Sequence, residues 1–300
     1  MKHSNKHLII ILGPTAVGKT SLAIRLAKHF YTEIISSDSR QFYKELNIGT
    51  AKPTDEEMKE VKHHFISHVS IDQLYSAGDF EREAIAKLDE LFVTKDVVVM
   101  VGGSGLYIKA ICEGLAETPK ANEELRNRLQ AIFEREGIES LQQMLKNLDA
   151  DKYQKVDLQN PQRIMRAIEI AEETNIPVEK INKQIATRNF NTIKIGLTIS
   201  RELLYERINN RVDEMIKNGL LKEAHDMHLH KDLNALQTVG YTELFDYIDG
   251  KNSLEFAIDK IKQHTRNFAK RQLTWFRKEE DVKWFETNDF ERIVTYIESK

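Results

Sequence analysis

Residues 8–21 read LIIILGPTAVGKTS: an unbroken apolar run, a glycine-flanked turn, then the start of a helical pattern. This order constrains the fold more than any other feature of the chain. An apolar run without polar alternation suits a strand covered on both faces. Gly13-Pro14-Thr15-Ala16-Val17-Gly18-Lys19-Thr20 matches G-x-x-x-x-G-K-[ST] at every fixed position. Glycines let backbone N–H groups converge on phosphate oxygens, and the helix N-terminus adds a partial positive charge. Lys19 can bridge phosphate oxygens, and the Thr20 hydroxyl can ligate Mg2+. A glycine turn that serves packing alone is the bland alternative. The strand before it and the helix after it favour the phosphate loop.

The same alternation continues through the first third. SLAIRLAKHF carries Leu22, Leu26 and Phe30 at helical spacing. TEIISSDS reads as a second strand and HFISHVSI as a possible third. SAGDFEREAIAKLDELF reads as a helix capped by Ser76 or Asp79. VVVMVGG is a β-branched run typical of a buried parallel strand. Together these predict an α/β fold: a P-loop NTPase-like parallel sheet flanked by helices. From residue 113 to residue 190 the pattern turns helical, which predicts a helical insertion domain. NPQRIMRAIEIAEET opens there with Asn160 as cap and Pro161 at the first helical position, and closes near Asn175 and Pro177. TIKIGLTIS returns the chain to the sheet, and helices follow to the end. The core is thus expected over 1–112 and 191–300, with a helical C-terminal region.

Three hundred residues allow one large domain with an insertion, or two domains. Charged residues make up 30% and the net charge is -3, which does not suggest a chain that coats nucleic acid, although a local basic face is compatible. Cys112 is the single cysteine, so intramolecular disulfides are impossible, in keeping with a reducing cytoplasm. The apolar run at the N-terminus stops at Gly13, too early for a signal peptide, and no stretch approaches membrane-spanning length.

A nucleotide hydrolase also wants an acidic residue at the end of a hydrophobic strand. VVVMV ends instead in Gly102-Gly103-Ser104-Gly105, so the nearest carboxylate is Asp38, at the end of EIISSD. Ligands sit at the carboxyl ends of parallel strands, which aims Asp38 at the phosphate loop. It can be a metal ligand, a general base or a helix cap. The GGSG turn places small residues and the Ser104 hydroxyl beside the first loop, although glycines also serve tight strand–helix packing. Arg163 and Arg166 suit ion pairing, with Glu169 or Glu173 facing Arg166. Arg207 and Arg211 share one helix face, so one can reach a phosphate. Seven Lys and Arg residues and no acid lie between Lys260 and Lys278. Arg266, Lys270 and Arg277 share a face there, interleaved with Phe268, Trp275 and Phe276. That pattern suits a nucleic-acid backbone or a basic helix with its aromatics packed inward. His63, His64 and His68 form a weak metal candidate without a carboxylate at helix spacing.

Taken together, GPTAVGKTSLAIRLA, EIISSDSRQFYKELNIGTAKP, GGSGLYIKA, NPQRIMRAIEI, LQTVGYTEL and KRQLTWFRK resemble the bacterial tRNA dimethylallyltransferase family almost end to end. The resemblance implies transfer of a dimethylallyl group from dimethylallyl pyrophosphate to N6 of the adenosine 3′ to the tRNA anticodon. It implies Mg2+, release of pyrophosphate and recognition of the anticodon stem-loop; separately, a cytoplasmic monomer that meets no membrane is expected. By resemblance, residues 13–20 hold pyrophosphate and Thr20 meets the metal. Asp38 is the base, with Ser104 and Arg211 beside it at the reaction centre and His63 nearby. Asp38, Ser39, Arg40, Gln41, Ser104, Arg126, Gln162, Arg163, Ile164, Met165 and Arg166 would meet tRNA. The family usually has threonine where this chain has Ser104, and often proline where it has Leu158. A small-molecule kinase and a non-catalytic RNA-binding regulator are the competing readings. The missing strand-end acid counts against the first, and the intact loop with Asp38 and Arg211 counts against the second.

Overall fold

The computed structural model describes residues 5–116, 118–120, 122–174, 178 and 186–300. It opens with β1 (His7–Leu12), α1 (Lys19–His29), β2 (Ile34–Ser36), α2 (Asp55–Glu60) and β3 (His63–His64). Then come α3 (Ala77–Phe92), β4 (Val97–Val101) and α4 (Gly105–Glu113). Four helices follow: α5 (Glu123–Glu136), α6 (Ile138–Leu148), α7 (Ala150–Lys155) and α8 (Pro161–Thr174). The chain returns as β5 (Asn191–Thr198) and continues through α9 (Arg201–Lys217), α10 (Leu220–Met227), α11 (Tyr241–Ile248) and α12 (Leu254–Phe276). It ends with β6 (Val282–Glu286) and α13 (Phe290–Glu298). Two compact units result: Met1–Glu113 with Thr187–Lys300, and Gly114–Ala186.

The larger unit is built on a six-stranded sheet of order β3-β2-β4-β1-β5-β6, parallel at every pairing. Side chains alternate across a strand, so β1 feeds two cores. Leu8, Ile10 and Leu12 join Val98, Met100 and Ile35 on one face, under Phe80 and Leu88 of α3 and Tyr241 of α11. Ile9 and Ile11 join Val99, Val101 and Ile34 on the other, under Leu22 and Leu26 of α1 and Ile208 of α9. Two-sided burial explains why these strands read as continuous apolar runs.

Local chemistry sets the helix starts. Ser76 caps α3 by accepting from the Asp79 amide at 3.1 Å, while the Asp79 carboxylate accepts from the Ser76 amide at 3.0 Å. Both expected capping residues therefore act, as a reciprocal box. The third strand is shorter than HFISHVSI suggests. His63 and His64 form the strand, the Ser67 amide then turns back to the Gln41 carbonyl at 3.0 Å, and Val69 makes a single parallel bridge to Tyr43. The C-terminal region is not all helical, because β6 adds a sixth strand beside β5. Its five residues form a sheet edge with only Phe285 buried, so VKWFE carries neither a long apolar run nor a clean alternation.

The smaller unit packs Leu125 and Leu129 of α5, Leu141 and Leu145 of α6, and Ile164, Met165 and Ile168 of α8 into its own core. The Asn160 side chain caps α8 by accepting from the Arg163 amide at 3.1 Å. The stop expected at Asn175 and Pro177 lies outside the described residues. Among the described residues no helix is long and apolar enough to cross a membrane.

Candidate active site

The carboxyl ends of β1, β2 and β4 open onto a cavity of about 670 Å3. Thr15, Lys19, Thr20, Asp38, Gly103 and Arg211 all line it. This is where a parallel sheet places ligands. Gly13 adopts φ +145°, and a Cβ there would lie 2.9 Å from the Leu197 carbonyl oxygen. Gly18 adopts φ +107° as it enters α1. Both positions require glycine for these reasons.

Lys19 Nζ donates to the carbonyls of Gly13 at 3.0 Å and Pro14 at 2.7 Å. Burial brings its pKa down to about 7. Repulsion from Arg211 adds to this, and attraction to Asp38 opposes it. Burial also lowers the pKa of the Arg211 guanidinium, again against the pull of Asp38. The two cations and one carboxylate thus form one electrostatic group. Lys52, which also lines the cavity, is brought to about 8 by burial.

Asp38 lines this cavity, and the next helix starts only at Asp55, so the cap expected of it is a local turn instead. Its Oδ1 accepts from the amides of Arg40 at 2.9 Å and Gln41 at 3.3 Å. Both bonds go to Oδ1, and the residue forms part of the cavity lining. The Ser104 Oγ accepts from the Ser39 amide at 3.0 Å, tying the second glycine turn to the segment after β2. Gln41 faces inward: its Nε2 donates to the carbonyls of Thr50 at 3.3 Å and Ala51 at 3.0 Å. Arg40 donates to the Asn234 carbonyl at 2.8 Å, so its guanidinium is partly committed within the protein.

A family model described as IPP transferase matches residues 41–279. A tRNA dimethylallyltransferase of Christiangramia forsetii is 55% identical over 298 residues, covering 99% of each chain. The chain belongs to the tRNA dimethylallyltransferase family. Among solved structures, a tRNA isopentenylpyrophosphate transferase from Bacillus halodurans is 37% identical with TM-score 0.73, covering 98% of this chain and 96% of that one. A eukaryotic dimethylallyltransferase captured acting on tRNA is 27% identical with TM-score 0.82, covering 98% of this chain and 80% of that one.

The remaining family-implied residues fall into distinct environments. In the insertion unit, Gln162 and Arg163 are exposed, whereas Ile164 and Met165 are 0% and 2% exposed. Those two side chains are therefore core residues rather than contacts, because a helix that presents Arg163 outward must turn its next two positions inward. Arg126 grips Glu169 with two hydrogen bonds of 2.8 and 2.9 Å, and Arg166 reaches the same carboxylate at 3.1 Å. On α12, Phe276 is buried, but Trp275 and Phe268 are 41% and 40% exposed, so only one aromatic packs fully inward. Lys270, Arg271, Trp275 and Lys278 line an open groove. Arg266 instead turns to α9 and donates to Asn209 at 2.6 Å, and Arg277 lies just past the end of α12. Arg207 points to the Val17 carbonyl at 3.4 Å.

His63 bonds the Val61 carbonyl through Nδ1 at 2.8 Å, His64 meets Glu33 at 2.6 Å, and His68 packs edge-on to Tyr75. Among the described residues no three His, Cys, Asp or Glu side chains gather as a metal cluster.

Sequence reading passed over Gln272. This residue is 6% exposed and touches both glycine-rich turns. A glutamine on the inner face of a basic helix was the available signal. Glu223 was also missed. It accepts from the amides of Asn47, Ile48 and Gly49 at 3.1, 2.9 and 3.0 Å, fixing the loop that carries Lys52.

Proposed function

We propose that this chain moves the dimethylallyl group of dimethylallyl pyrophosphate onto N6 of the adenosine 3′ to the anticodon of tRNA. The observation that carries the reading is the shared cavity: Asp38 lines it together with Lys19, Thr20 and Arg211. The N6 lone pair attacks the allylic carbon, the carbon–oxygen bond to pyrophosphate breaks, and the N6 proton passes to Asp38. The exocyclic amine is a weak nucleophile because its lone pair is delocalised into the ring, so a base in place lowers the barrier. The leaving pyrophosphate gathers negative charge, which Lys19, Arg211 and the loop amides neutralise. The adenine must leave its stack to enter the cavity.

The donor set suits Mg2+. Thr20 offers a hydroxyl, and an ion that keeps its waters and shares substrate phosphates needs no protein cage. Thr20 would hold it, and when bound it offsets pyrophosphate charge. Arg126, Gln162, Arg163 and Arg166 of the insertion offer polar and charged contacts to RNA. On α12, Lys270 and Arg271 offer phosphate contacts and Trp275 a stacking surface.

Incubation with unmodified tRNA and radiolabelled dimethylallyl pyrophosphate tests the reaction. The expected result is label in tRNA at the modified adenosine. Unlabelled tRNA together with phosphate transfer from ATP overturns the reading.

A further inference from the structure

Gln272 sits on the inner face of α12, 6% exposed, between the two glycine-rich turns. Its Oε1 accepts from the Thr15 amide at 2.8 Å, and its Nε2 donates to the Gly103 carbonyl at 3.0 Å. Only one orientation of the amide satisfies both bonds, so the side chain is fixed at each end. Gly103 is shaped by this contact, since a Cβ there would lie 2.2 Å from Gln272 Nε2. Three residues on, Trp275 seals the end of the same turn, and a Cβ on Gly105 would lie 2.2 Å from its Nε1. The outer side of the helix carries the basic groove of Lys270, Arg271 and Lys278.

From this geometry we infer that Gln272 is a positioning residue that sets the spacing between the phosphate loop and the GGSG turn, and so tunes pyrophosphate binding from α12. The inference rests on the transferase reading above. Gln272 occupies the Thr15 amide, so pyrophosphate addresses the loop from Ala16 onward, and Thr15 contributes through its side chain or its position. Loss of the bridge lets the two turns separate. Charge on the leaving group is then neutralised less well, although every charged side chain remains.

The test compares wild type, Gln272→Leu and Gln272→Glu, using inorganic pyrophosphate without tRNA as the calorimetric probe, tRNA affinity by filter binding, and KM and kcat in the transfer assay. Gln272→Leu is expected to weaken pyrophosphate binding and raise KM for dimethylallyl pyrophosphate by about tenfold, with tRNA affinity within about twofold. Gln272→Glu is expected to be worse near neutrality, because a carboxylate cannot donate to Gly103 and repels the anion. Its deficit relative to wild type is expected to shrink as pH falls toward about 4, where the carboxyl gains a proton and both accepts and donates. That pH signature is one a merely structural role would not produce, and it decides the matter alone where Gln272→Leu does not fold. The inference is overturned by wild-type pyrophosphate affinity in Gln272→Leu, by an equal loss of tRNA affinity, or by a Gln272→Glu deficit that stays flat with pH. Wild type that neither binds pyrophosphate nor labels tRNA overturns the transferase reading itself, and this inference with it.

Discussion

Asp38 Oδ1 accepts the Arg40 amide hydrogen bond at 2.9 Å, so in the proposed reaction the proton would go to Oδ2. The turn contact and the proposed base would then be two ends of one carboxylate, and substitution can separate them. Asn retains an acceptor for the Arg40 and Gln41 amides but cannot take a proton at neutral pH. Asp38→Asn is expected to lower the single-turnover rate by about two to four orders of magnitude. Thermal stability and tRNA affinity are expected to stay close to wild type. Asp38→Ala removes the local turn bonds as well, with a further stability loss of about 1 kcal/mol. Equal losses of rate and tRNA affinity in Asp38→Asn would show that the residue only positions RNA.

Lys19 holds a proton weakly, with a pKa near 7 set by burial and then by Arg211. An anion in the loop favours the charged form, so binding takes up a proton wherever the free enzyme holds Lys19 neutral. Below pH about 7 this group leaves affinity unchanged; above it, affinity falls by up to about tenfold per pH unit. Pyrophosphate also titrates, so the informative quantity is the difference between wild type and Lys19→Met. Calorimetry at pH about 8 in two buffers of different ionisation enthalpy is expected to show greater proton uptake by wild type. The sign for folding is separate. The unfolded chain binds this proton up to its ordinary value of 10.5, so between about 7 and 10.5 the ligand-free protein gains stability from this group as pH rises.

The parts of the site that sequence revealed are those where backbone chemistry dictates residue type. The glycines of residues 13–18 and 102–105 and the acid after β2 are legible because few other residues serve there. The parallel sheet is legible because β1 and β4 are buried on both faces. The edge strand β6 was hidden because only Phe285 among its residues is buried. Gln272 was hidden for a different reason. Its value lies in contacts 257 and 169 residues away along the chain, and no local pattern encodes them. The QRIMR block shows the converse: a contiguous motif need not be a contiguous surface, since Ile164 and Met165 turn into the core.

Glu169 gathers Arg126 and Arg166 of the insertion. It is 0% exposed, and Arg126 and Arg166 share its two oxygens. Glu169→Gln keeps the volume but removes the charge that orients both guanidinium groups. A stability loss of about 1–3 kcal/mol is expected, moderated because each arginine reaches solvent. tRNA affinity is expected to fall by about tenfold, the scale of one charge-assisted hydrogen bond. Pyrophosphate affinity measured without tRNA is expected to be unchanged. Loss of pyrophosphate binding in this variant would contradict the assignment of the insertion to RNA alone.

Gly102 makes the closest backbone approach in the site. A Cβ there would lie 2.2 Å from Ser37 Oγ and 2.5 Å from the Ser37 carbonyl carbon and oxygen. Ser37 is itself 0% exposed, its amide donates to the Val101 carbonyl at 2.8 Å, and the next residue is Asp38. A methyl group at Gly102 therefore has no soft side chain to displace; it must move the end of β2 and carry Asp38 with it. Gly102→Ala is expected to cost about 1–3 kcal/mol of stability by overpacking and to lower the transfer rate at saturating substrates. Adding Ser37→Ala removes the hydroxyl clash but not the backbone one, so the double variant is expected to recover only part of both losses. Gly78→Ala is the control. Its Cβ meets nothing nearer than 3.7 Å, and at the start of α3 it is expected to be neutral or mildly stabilising. Paired melting curves and single-turnover rates separate these outcomes. A Gly102→Ala protein with wild-type stability and rate would mean that β2 and β4 tolerate a wider spacing at their carboxyl ends than the packing here allows.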